Sequence, residues 1–194
     1  NGDTVLFMNF RNDIREGIQR EYYPDGKRSK ILTYKNGVLD GTHITFNAEG
    51  KVEVSLSYKE GKKNGKQTYF YSNGKEAGIE MWTMDQKDGD FITYNDEGLI
   101  LAKSTFKKDL AVGEHLVNDE KGKTIHQTIY DKKGTKQYEM EIDEYGDKKV
   151  LFDINKTEKS SGITEDDDPN DISPKTEKKN KRKKKKERRK KDKA

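Results

Sequence analysis

Cysteine is absent from this chain of 194 residues, and apolar residues are scarce. The absence of cysteine excludes disulfides, thiol nucleophiles and cysteine-based zinc sites. No segment approaches the roughly 20 consecutive apolar residues that a membrane-spanning helix needs. Hydrophobic residues make up 29% of the chain and charged residues 39%, which is too little apolar material for a thick two-layer core along the whole length. We therefore expect a thin, elongated structure.

Glycine, by contrast, recurs with a period of 24 residues. Aromatic residues keep the same period in two columns. A fixed period of this size is typical of a stacked array of one small unit rather than of a single globular core. The first glycine series is Gly17, Gly41, Gly65, Gly89 and Gly113, and the second is Gly2, Gly26, Gly50, Gly74, Gly98, Gly122 and Gly146. The first aromatic column is Phe10, Tyr34, Tyr58, Trp82, Phe106 and Tyr130, and the second is Tyr22, Phe46, Phe70 and Tyr94.

Each repeat unit has the pattern of a β-hairpin. The segments between glycines alternate apolar and polar residues and are rich in Thr, Tyr, Phe, Ile and Val, as strands are. Pro24-Asp25-Gly26 marks one type of turn and Asn36-Gly37 the other, because glycine supplies the positive φ that a tight turn needs. Turns this short join antiparallel neighbours, so the sequence predicts an all-β fold, an elongated single-layer antiparallel meander. About twelve strands at about 4.8 Å spacing would give a sheet about 55 Å long.

Residue parity predicts which face of the sheet is more polar, because side chains at i and i+2 share a face of a strand. Odd positions are mixed but more polar, whereas even positions carry most of the apolar residues, for example Leu6, Met8, Phe10, Val54, Leu56 and Tyr58. The pattern therefore predicts a sheet with one wetter, odd-numbered face.

The repeat resembles a known family at Tyr34-Lys35-Asn36-Gly37-Val38-Leu39-Asp40-Gly41 and at Tyr58-Lys59-Glu60-Gly61-Lys62-Lys63-Asn64-Gly65. Each segment is followed by an aromatic residue and then by a Glu-Gly or Asn-Gly turn, as in MORN repeats. The resemblance covers residues 1–154 and is closer to the bacterial MORN variant, the YwqK-type antitoxin family, than to the eukaryotic form. Asp85, Asp109 and Lys133 depart from it, because they stand where Gly37 and Gly61 set the pattern. The resemblance implies a single-layer β-hairpin array used for binding or assembly.

Composition divides the chain into three parts. Residues 1–154 form the repeat array, with 24 Lys or Arg against 27 Asp or Glu, a net charge of −3. Residues 155–174 have the acidic, polar composition of a disordered linker. Residues 175–194 form a polybasic disordered tail with 14 Lys or Arg against three acids. Asn1-Gly2 occupies the repeat position that the Asp25-Gly26 turn occupies 24 residues later, so we expect this sequence to be a fragment or a processed form. Whether the protein is exported or cytoplasmic therefore stays open.

The basic tail has three interpretations. The first is a solvated solubility tail. The second is a segment that binds polyanions, either nucleic acid or an anionic membrane surface, and the third is a nuclear localisation signal if the source is eukaryotic. Binding to phosphates would release counterions and weaken steeply with salt. The residues that would carry it are Lys181, Arg182, Lys183, Lys184, Lys185, Lys186, Arg188, Arg189, Lys190 and Lys191.

Catalysis finds little support, and we predict a protein that is not an enzyme and has no catalytic, cofactor or metal site. His43 and His115 occupy the same repeat position 72 residues apart, which places them about 29 Å apart, too far to share a metal ion. His126 is expected to be a packed strand residue. A deep pocket lined by His126, with an acid within hydrogen-bond reach, would favour an enzyme instead.

Two functional classes remain. The favoured one is a non-catalytic binding or assembly scaffold that contacts a protein partner, with Tyr69, Tyr71, Met81 and Phe91 as a candidate interaction surface on the odd-numbered face. These four side chains could instead pack against a twisted sheet. The alternative is polyanion binding through the tail, with the repeats as a spacer. The open edges of the sheet also favour edge-to-edge self-association.

Overall fold

The computed structural model describes residues 5–161, and strands make up most of that range. The chain divides into a first unit, Asn1–Asn155, and a second, Lys156–Ala194. The strands are β1 Val5–Phe7, β2 Phe10–Arg11, β3 Ile14–Arg15, β4 Gly17–Tyr22, β5 Arg28–Lys35, β6 Val38–Phe46, β7 Val52–Lys59, β8 Lys62–Lys63, β9 Gly65–Phe70, β10 Glu76–Thr83, β11 Gln86–Tyr94, β12 Ile100–Lys107, β13 Leu110–Asn118, β14 Thr124–Tyr130, β15 Lys136–Ile142 and β16 Lys148–Asp153.

The strands of the first unit form one long antiparallel sheet in chain order. The order is β1-β4-β5-β6-β7-β9-β10-β11-β12-β13-β14-β15-β16, and the short strand β8 also pairs with β7, which gives 14 strands. Strands β2 and β3 form a separate two-stranded hairpin. The predicted all-β antiparallel meander is therefore confirmed.

The two-residue turns follow the predicted chemistry. Asn36 and Gly37 have φ values of 50° and 83° and join β5 to β6. Asp85 and Asp109, two of the three departures from the glycine pattern, keep the same turn with φ values of 68° and 67°. The third, Lys133, lies in a different turn, in which the Gly134 N–H donates to the Asp131 carbonyl at 3.1 Å.

Aspartate replaces glycine in these turns because its carboxylate gains a hydrogen bond there. The Oδ1 atom of Asp85 accepts from the Lys63 N–H at 2.8 Å, and that of Asp109 accepts from the Lys87 N–H at 2.8 Å. Asp tolerates the left-handed conformation better than most residues, and the added bond offsets the remaining strain. The turn geometry thus persists where the glycine pattern is lost.

Two glycines of the first series are required by bulges in the sheet. Gly89 has a φ of 125°, and a Cβ atom added there would lie 2.7 Å from the Cβ of Met81. Gly41 has a φ of 116°, and its Cβ would lie 3.1 Å from Thr33. The register of the pairings shifts beside both positions, in β5–β6 and in β10–β11. A residue without a side chain is therefore needed at these two bulges.

The prediction of one wetter, odd-numbered face is wrong. Through the centre of each hairpin, an odd residue pairs with an even one, as Leu32 does with His43 and His43 with Leu56. Paired residues share a face, so the even positions of successive strands point to opposite faces. Both faces consequently carry apolar side chains.

Little of this single layer is fully buried. Among the described residues, Met140, at 9% exposure, is the one buried large apolar side chain, whereas Gln19, Gln67, Thr68 and Thr128 are buried polar residues. The sheet is held together by contacts between neighbouring strands and turns instead of by a core. For example, the Nζ atoms of Lys27 and Lys51 donate to carbonyls of the next turn along, at 2.8 Å each.

A helix, α1, runs from Ile154 to Ser161, where the sequence predicts the start of a disordered linker. The Asp153 carboxylate accepts a hydrogen bond from the Asn155 N–H at 3.0 Å, as an N-cap does, which explains a helix at this point. The rest of the predicted linker and the whole basic tail lie outside the described residues. Within residues 5–161, no helix has the length and apolar character that crossing a membrane requires.

Candidate interaction surface

The two faces of the sheet carry different side chains. One face, called the ring face here, carries Tyr58, Trp82, Phe106 and Tyr130 of the first aromatic column. Each of these rings is paired across the strands with the glycine of the preceding strand, for example Trp82 with Gly65. The opposite face, called the aliphatic face, carries Ile31, Ile44, Ile79, Ile92, Leu116 and Met140.

A continuous strip of rings crosses the middle of the ring face. The ring centroids of Trp82 and Phe91 are 5.4 Å apart, and those of Phe91 and Phe106 are 5.1 Å apart. The strip continues from Phe106 to His115 at 5.5 Å and from His115 to Tyr130 at 4.8 Å. These five residues, called the ring strip below, lie on the consecutive strands β10 to β14 and are all half-buried. The strip therefore extends about 19 Å along the sheet.

Positive charges line one side of the ring strip. The Nζ atom of Lys63 lies 4.6 Å from the Trp82 ring centroid, and that of Lys87 lies 4.7 Å from the Phe106 centroid. Ammonium groups at these distances are attracted by the faces of aromatic rings. The strip thus combines apolar area with cations that are held in place.

One acid organises the strip at the Trp82 end. The Oε2 atom of Glu80 accepts hydrogen bonds from Trp82 Nε1 at 2.9 Å and from the Tyr69 hydroxyl at 3.2 Å. Burial and the neighbouring Glu80 charge raise the pKa of Tyr69. Tyr69 therefore stays protonated and remains a hydrogen-bond donor at neutral pH.

The four residues of the predicted interaction surface do not form one patch. Tyr69 and Phe91 lie on the ring face, whereas Met81 lies on the aliphatic face beside Ile79. Tyr71 begins a turn, and its hydroxyl donates to the Tyr94 carbonyl at 2.6 Å. The ten basic residues predicted to bind polyanions, Lys181 to Lys191, lie outside the described part of the chain.

His43 and His115 occupy equivalent places on the ring face, six strand-to-strand steps apart between β6 and β13. His115 Nε2 lies 3.1 Å from the Thr105 carbonyl oxygen. Both ring nitrogens of His43 are buried without a hydrogen-bond partner. Burial, with a further contribution from the charge of Lys30, lowers the pKa of His43. The two histidines do not contribute to one site.

His126 lies beside an acid. Its Nε2 atom is 3.3 Å from Oε1 of Glu139, whose other oxygen binds Lys136 Nζ at 2.7 Å. The hydrogen bond from Lys136 is the main cause that lowers the pKa of Glu139. The same Nε2 atom also lies 3.2 Å from the Thr128 hydroxyl. A catalytic triad needs the nucleophile and the acid on different ring nitrogens, so this geometry cannot act as one.

The surroundings of His126 are open. The His126 side chain is 30% exposed, and the depression beside it lies on the sheet surface at the turn between β15 and β16. It is lined by Ile125, His126, Glu141, Ile142, Asp143, Asp147, Lys148 and Lys149. This is not the deep pocket that would favour an enzyme. In the described range, no group of three or more His, Asp or Glu side chains is placed to hold a metal ion.

Sequence reasoning did not identify Gln67, Lys63 or Lys87. Gln67 is fully buried and bridges β7 and β9 through hydrogen bonds to Ser57 and Gly65. The 24-residue period held a signal for Gln67, because the residues at its repeat position line one row of the ring face. These residues are Gln19, His43, Gln67, Phe91, His115 and Glu139. Arg15, Lys63 and Lys87 likewise fall on one repeat position.

The hairpin β4–β5 is the segment for which a comparison with known families finds a match. Residues 15–36 match the model of the MORN repeat variant family. Repeats of this family are generally associated with binding or assembly and are generally non-catalytic. The match does not distinguish the bacterial YwqK-type form. No curated protein matches the chain.

Proposed function

We propose that the MORN-variant array is a non-catalytic scaffold that binds a protein partner through the ring strip. The observation that carries the proposal is the continuity of the strip, because five rings on five consecutive strands remain half-exposed on one face of a single layer. Aromatic residues are enriched at the centres of protein interfaces, where they supply most of the binding energy.

The charges beside the strip favour a partner with acidic groups. Lys63 and Lys87 are held over the rings of Trp82 and Phe106, so little side-chain entropy is lost when they pair with a carboxylate. The strip lies on an open sheet face and is about 19 Å long, which suits an extended segment or a strand better than a small molecule. The proposed partner is therefore a protein that presents apolar and acidic side chains along one surface.

A pair of neighbouring substitutions tests this proposal. Phe91→Thr removes the ring that joins Trp82 to Phe106, whereas Ile92→Thr removes an equally half-buried side chain from the aliphatic face of the same strand. Threonine suits a strand, so both variants keep the backbone. The measurement is quantitative cross-linking of the protein in extracts of its source cells, followed by peptide mapping of the cross-links.

We expect a partner whose cross-links lie next to the ring strip and whose recovery is equal with wild type and with Ile92→Thr. Its recovery should fall at least about tenfold with Phe91→Thr, which corresponds to a loss of about 1.4 kcal/mol in binding free energy. Circular dichroism checks that both variants are folded. Equal recovery with the two variants, or cross-links confined to other surfaces, would contradict the proposal.

Polyanion binding is the second candidate, and the charge of the tail favours it. The last twenty residues hold 14 Lys or Arg against three acids, whereas residues 1–154 carry a net charge of −3. The test compares wild type with a variant in which Lys181 to Lys186 are all replaced by serine or glutamine. RNA and anionic vesicles are titrated separately, because nucleic acid and membrane are different partners. Binding that survives these replacements, or that does not weaken with salt, argues against this function.

A further inference from the structure

The turns along one long side of the sheet carry exposed lysines that have no partner. Within residues 5–161, none of their ammonium groups forms an ion pair or a hydrogen bond. The aspartates of the same turns, Asp85 and Asp109, direct their carboxylates to backbone N–H groups instead. On the opposite side, by contrast, the Nζ atom of Lys75 donates to the Glu97 carbonyl at 3.3 Å. The unpartnered residues, called the lysine edge below, are Lys35, Lys59, Lys62, Lys107, Lys108, Lys132 and Lys133.

The lysine edge lies beside the first aromatic column and shares its spacing. Lys63 pairs with Tyr58 and Lys87 pairs with Trp82, so each cation over the rings lies next to a turn of this edge. Successive turns of the edge are 24 residues apart in sequence and about 9.6 Å apart across two strands. Four consecutive turns therefore bring basic groups to the same interval as the rings, in the order Lys59, Lys62 and Lys63, then Lys87, then Lys107 and Lys108, then Lys132 and Lys133.

The ring strip offers side chains to a ligand but no free backbone groups. Strands β10 to β14 each pair with a strand on both sides, so their N–H and C=O groups are used within the sheet. A β-strand laid across the rings would leave its own backbone groups unpaired over an apolar surface. A polyproline II segment avoids this cost, because its backbone stays solvated without internal hydrogen bonds and proline has no N–H donor.

The pitch of polyproline II also matches the repeat. Its three residues per turn and rise of about 3.1 Å place residues i, i+3 and i+6 on one side at intervals of about 9.3 Å. Side chains on one face of a β-strand are about 6.6 Å apart, which does not fit the turn spacing of about 9.6 Å. A polyproline II ligand can therefore present one equivalent side chain to each repeat of the array.

We propose that the ring strip and the lysine edge together bind a polyproline II segment that has an acidic residue at every third position. Its carboxylates lie against the lysines of successive turns, and its prolines pack on Trp82 and Phe106, as prolines do in other aromatic-lined grooves. This inference rests on the proposed function and names the class of partner, a proline-rich acidic segment of a protein. The preformed helix also loses little conformational entropy on binding.

Synthetic peptides of one composition test the spacing directly. The probe is four repeats of Pro-Pro-Glu, and its isomer is two repeats of Pro-Pro-Pro-Pro-Glu-Glu, with the same length, charge and proline content. Trp82 is the single tryptophan of the chain, so its fluorescence and its indole N–H signal in an NMR spectrum report binding at the strip. We expect the probe to bind the full chain at least about tenfold more tightly than the isomer. Attraction to basic residues elsewhere in the chain would hold both peptides equally.

A matched pair of double variants tests the role of the lysines. Lys63→Gln with Lys87→Gln removes two charges beside the rings, whereas Lys75→Gln with Lys121→Gln removes two exposed charges from the opposite side of the sheet. Circular dichroism checks that both proteins are folded. The first variant should bind the Pro-Pro-Glu probe at least about tenfold more weakly than wild type, and the second should bind it as wild type does.

Equal affinity for the two peptides, binding of neither, or equal loss in the two double variants overturns the inference. The proposed function still stands in that case if Phe91→Thr loses the cross-linked cellular partner, so the two failures are distinguishable. Single-stranded oligouridylate is titrated in parallel. If it binds wild type more tightly than the probe does and the Lys63→Gln, Lys87→Gln variant loses that binding, the surface is assigned to nucleic acid and the inference is overturned.

Discussion

Replacing Gln67 by leucine tests how the sheet is held together where regular strand pairing is interrupted. Between β7 and β9 the direct pairs are Val54 with Tyr69 and Ser55 with Thr68. Beyond these two pairs, hydrogen bonds of the Gln67 side chain connect the two strands in place of backbone pairing. Its Oε1 atom accepts from the Ser57 N–H at 3.1 Å, and its Nε2 atom donates to the carbonyls of Ser57 at 3.0 Å and Gly65 at 3.1 Å.

The cost of Gln67→Leu follows from these three bonds. Leucine has a similar volume but no polar atoms, so the Ser57 N–H loses its acceptor in a site where Gln67 is 0% exposed. The Ser57 carbonyl keeps its bond from the Asn64 N–H at 3.0 Å. One orphaned buried donor costs about 1–3 kcal/mol, and each lost bond to a carbonyl about 1 kcal/mol, partly offset by the more apolar side chain. We expect a net loss of about 2–3 kcal/mol in the free energy of unfolding.

Urea unfolding followed by tryptophan fluorescence is a local assay for this change. Trp82 is the single tryptophan of the chain and pairs with Gly65 in the neighbouring strand. With a slope of about 2 kcal/mol per molar urea, the midpoint should fall by about 1 M or somewhat more. Hydrogen exchange at the Ser57 amide should accelerate in the same variant.

The chain supplies its own control for this measurement. Gln19 occupies the same repeat position, 48 residues earlier, and is 3% exposed, but its Nε2 atom has no hydrogen-bond partner. Gln19→Leu should therefore change the free energy of unfolding by less than about 1 kcal/mol, because it removes an unsatisfied polar atom. Equal destabilisation by the two variants would refute the reasoning, as would an unchanged midpoint for Gln67→Leu.

Three further predictions follow from single positions. His43→Gln should reduce the pH dependence of stability, because burial holds the folded-state pKa of His43 below its usual 6.5. The unfolded chain then binds a proton more readily, so wild-type stability falls as the pH drops below about 6.5 and levels off below the folded-state pKa. Identical free energies of unfolding against pH for the two proteins would contradict this. Trp82→Ala should cost about 2–3 kcal/mol in urea unfolding followed by circular dichroism, through lost ring contacts, and an unchanged midpoint would contradict that. Gly89→Ala should cost about 3 kcal/mol in the same assay, because its Cβ would lie 2.7 Å from Met81 at an unfavourable φ, whereas Gly74→Ala, with nothing within 4 Å, should cost about 1 kcal/mol.

Much of the fold could be predicted from the sequence because the repeat records local backbone chemistry. Strand β5 ends at Lys35 and β6 begins at Val38, as the Asn36-Gly37 turn predicts. The aromatic column follows the same period because its rings lie opposite glycines, as Trp82 does opposite Gly65. These features depend on residues close in sequence or one repeat apart.

The faces of the sheet could not be predicted in the same way. Parity within a strand is local, but parity between strands depends on turn lengths and on bulges, which decide that His43 faces the same side as Leu32 and Leu56. The predicted patch therefore combined Phe91 with Met81, which lie on opposite faces. The role of Gln67 was also inaccessible, because its partners are backbone atoms of Ser57 and Gly65 exposed by an interruption in pairing.

The ring strip arises where the repeat varies. The first aromatic column places one ring in each repeat, and rings of successive repeats are too far apart to touch directly. The residue on the strand between two such rings decides whether they are joined by contacts. Phe91 and His115 fill that position with rings and join Trp82 to Tyr130, whereas Gln67 fills it with an amide between Tyr58 and Trp82. The recurring residues thus build the sheet, and the varied row determines where the rings join into a continuous strip, which is the surface proposed to bind a partner. Phe91→Gln, which gives this position the residue found at Gln67, should therefore divide the strip and abolish partner binding while the glycines and ring column that hold the sheet remain in place.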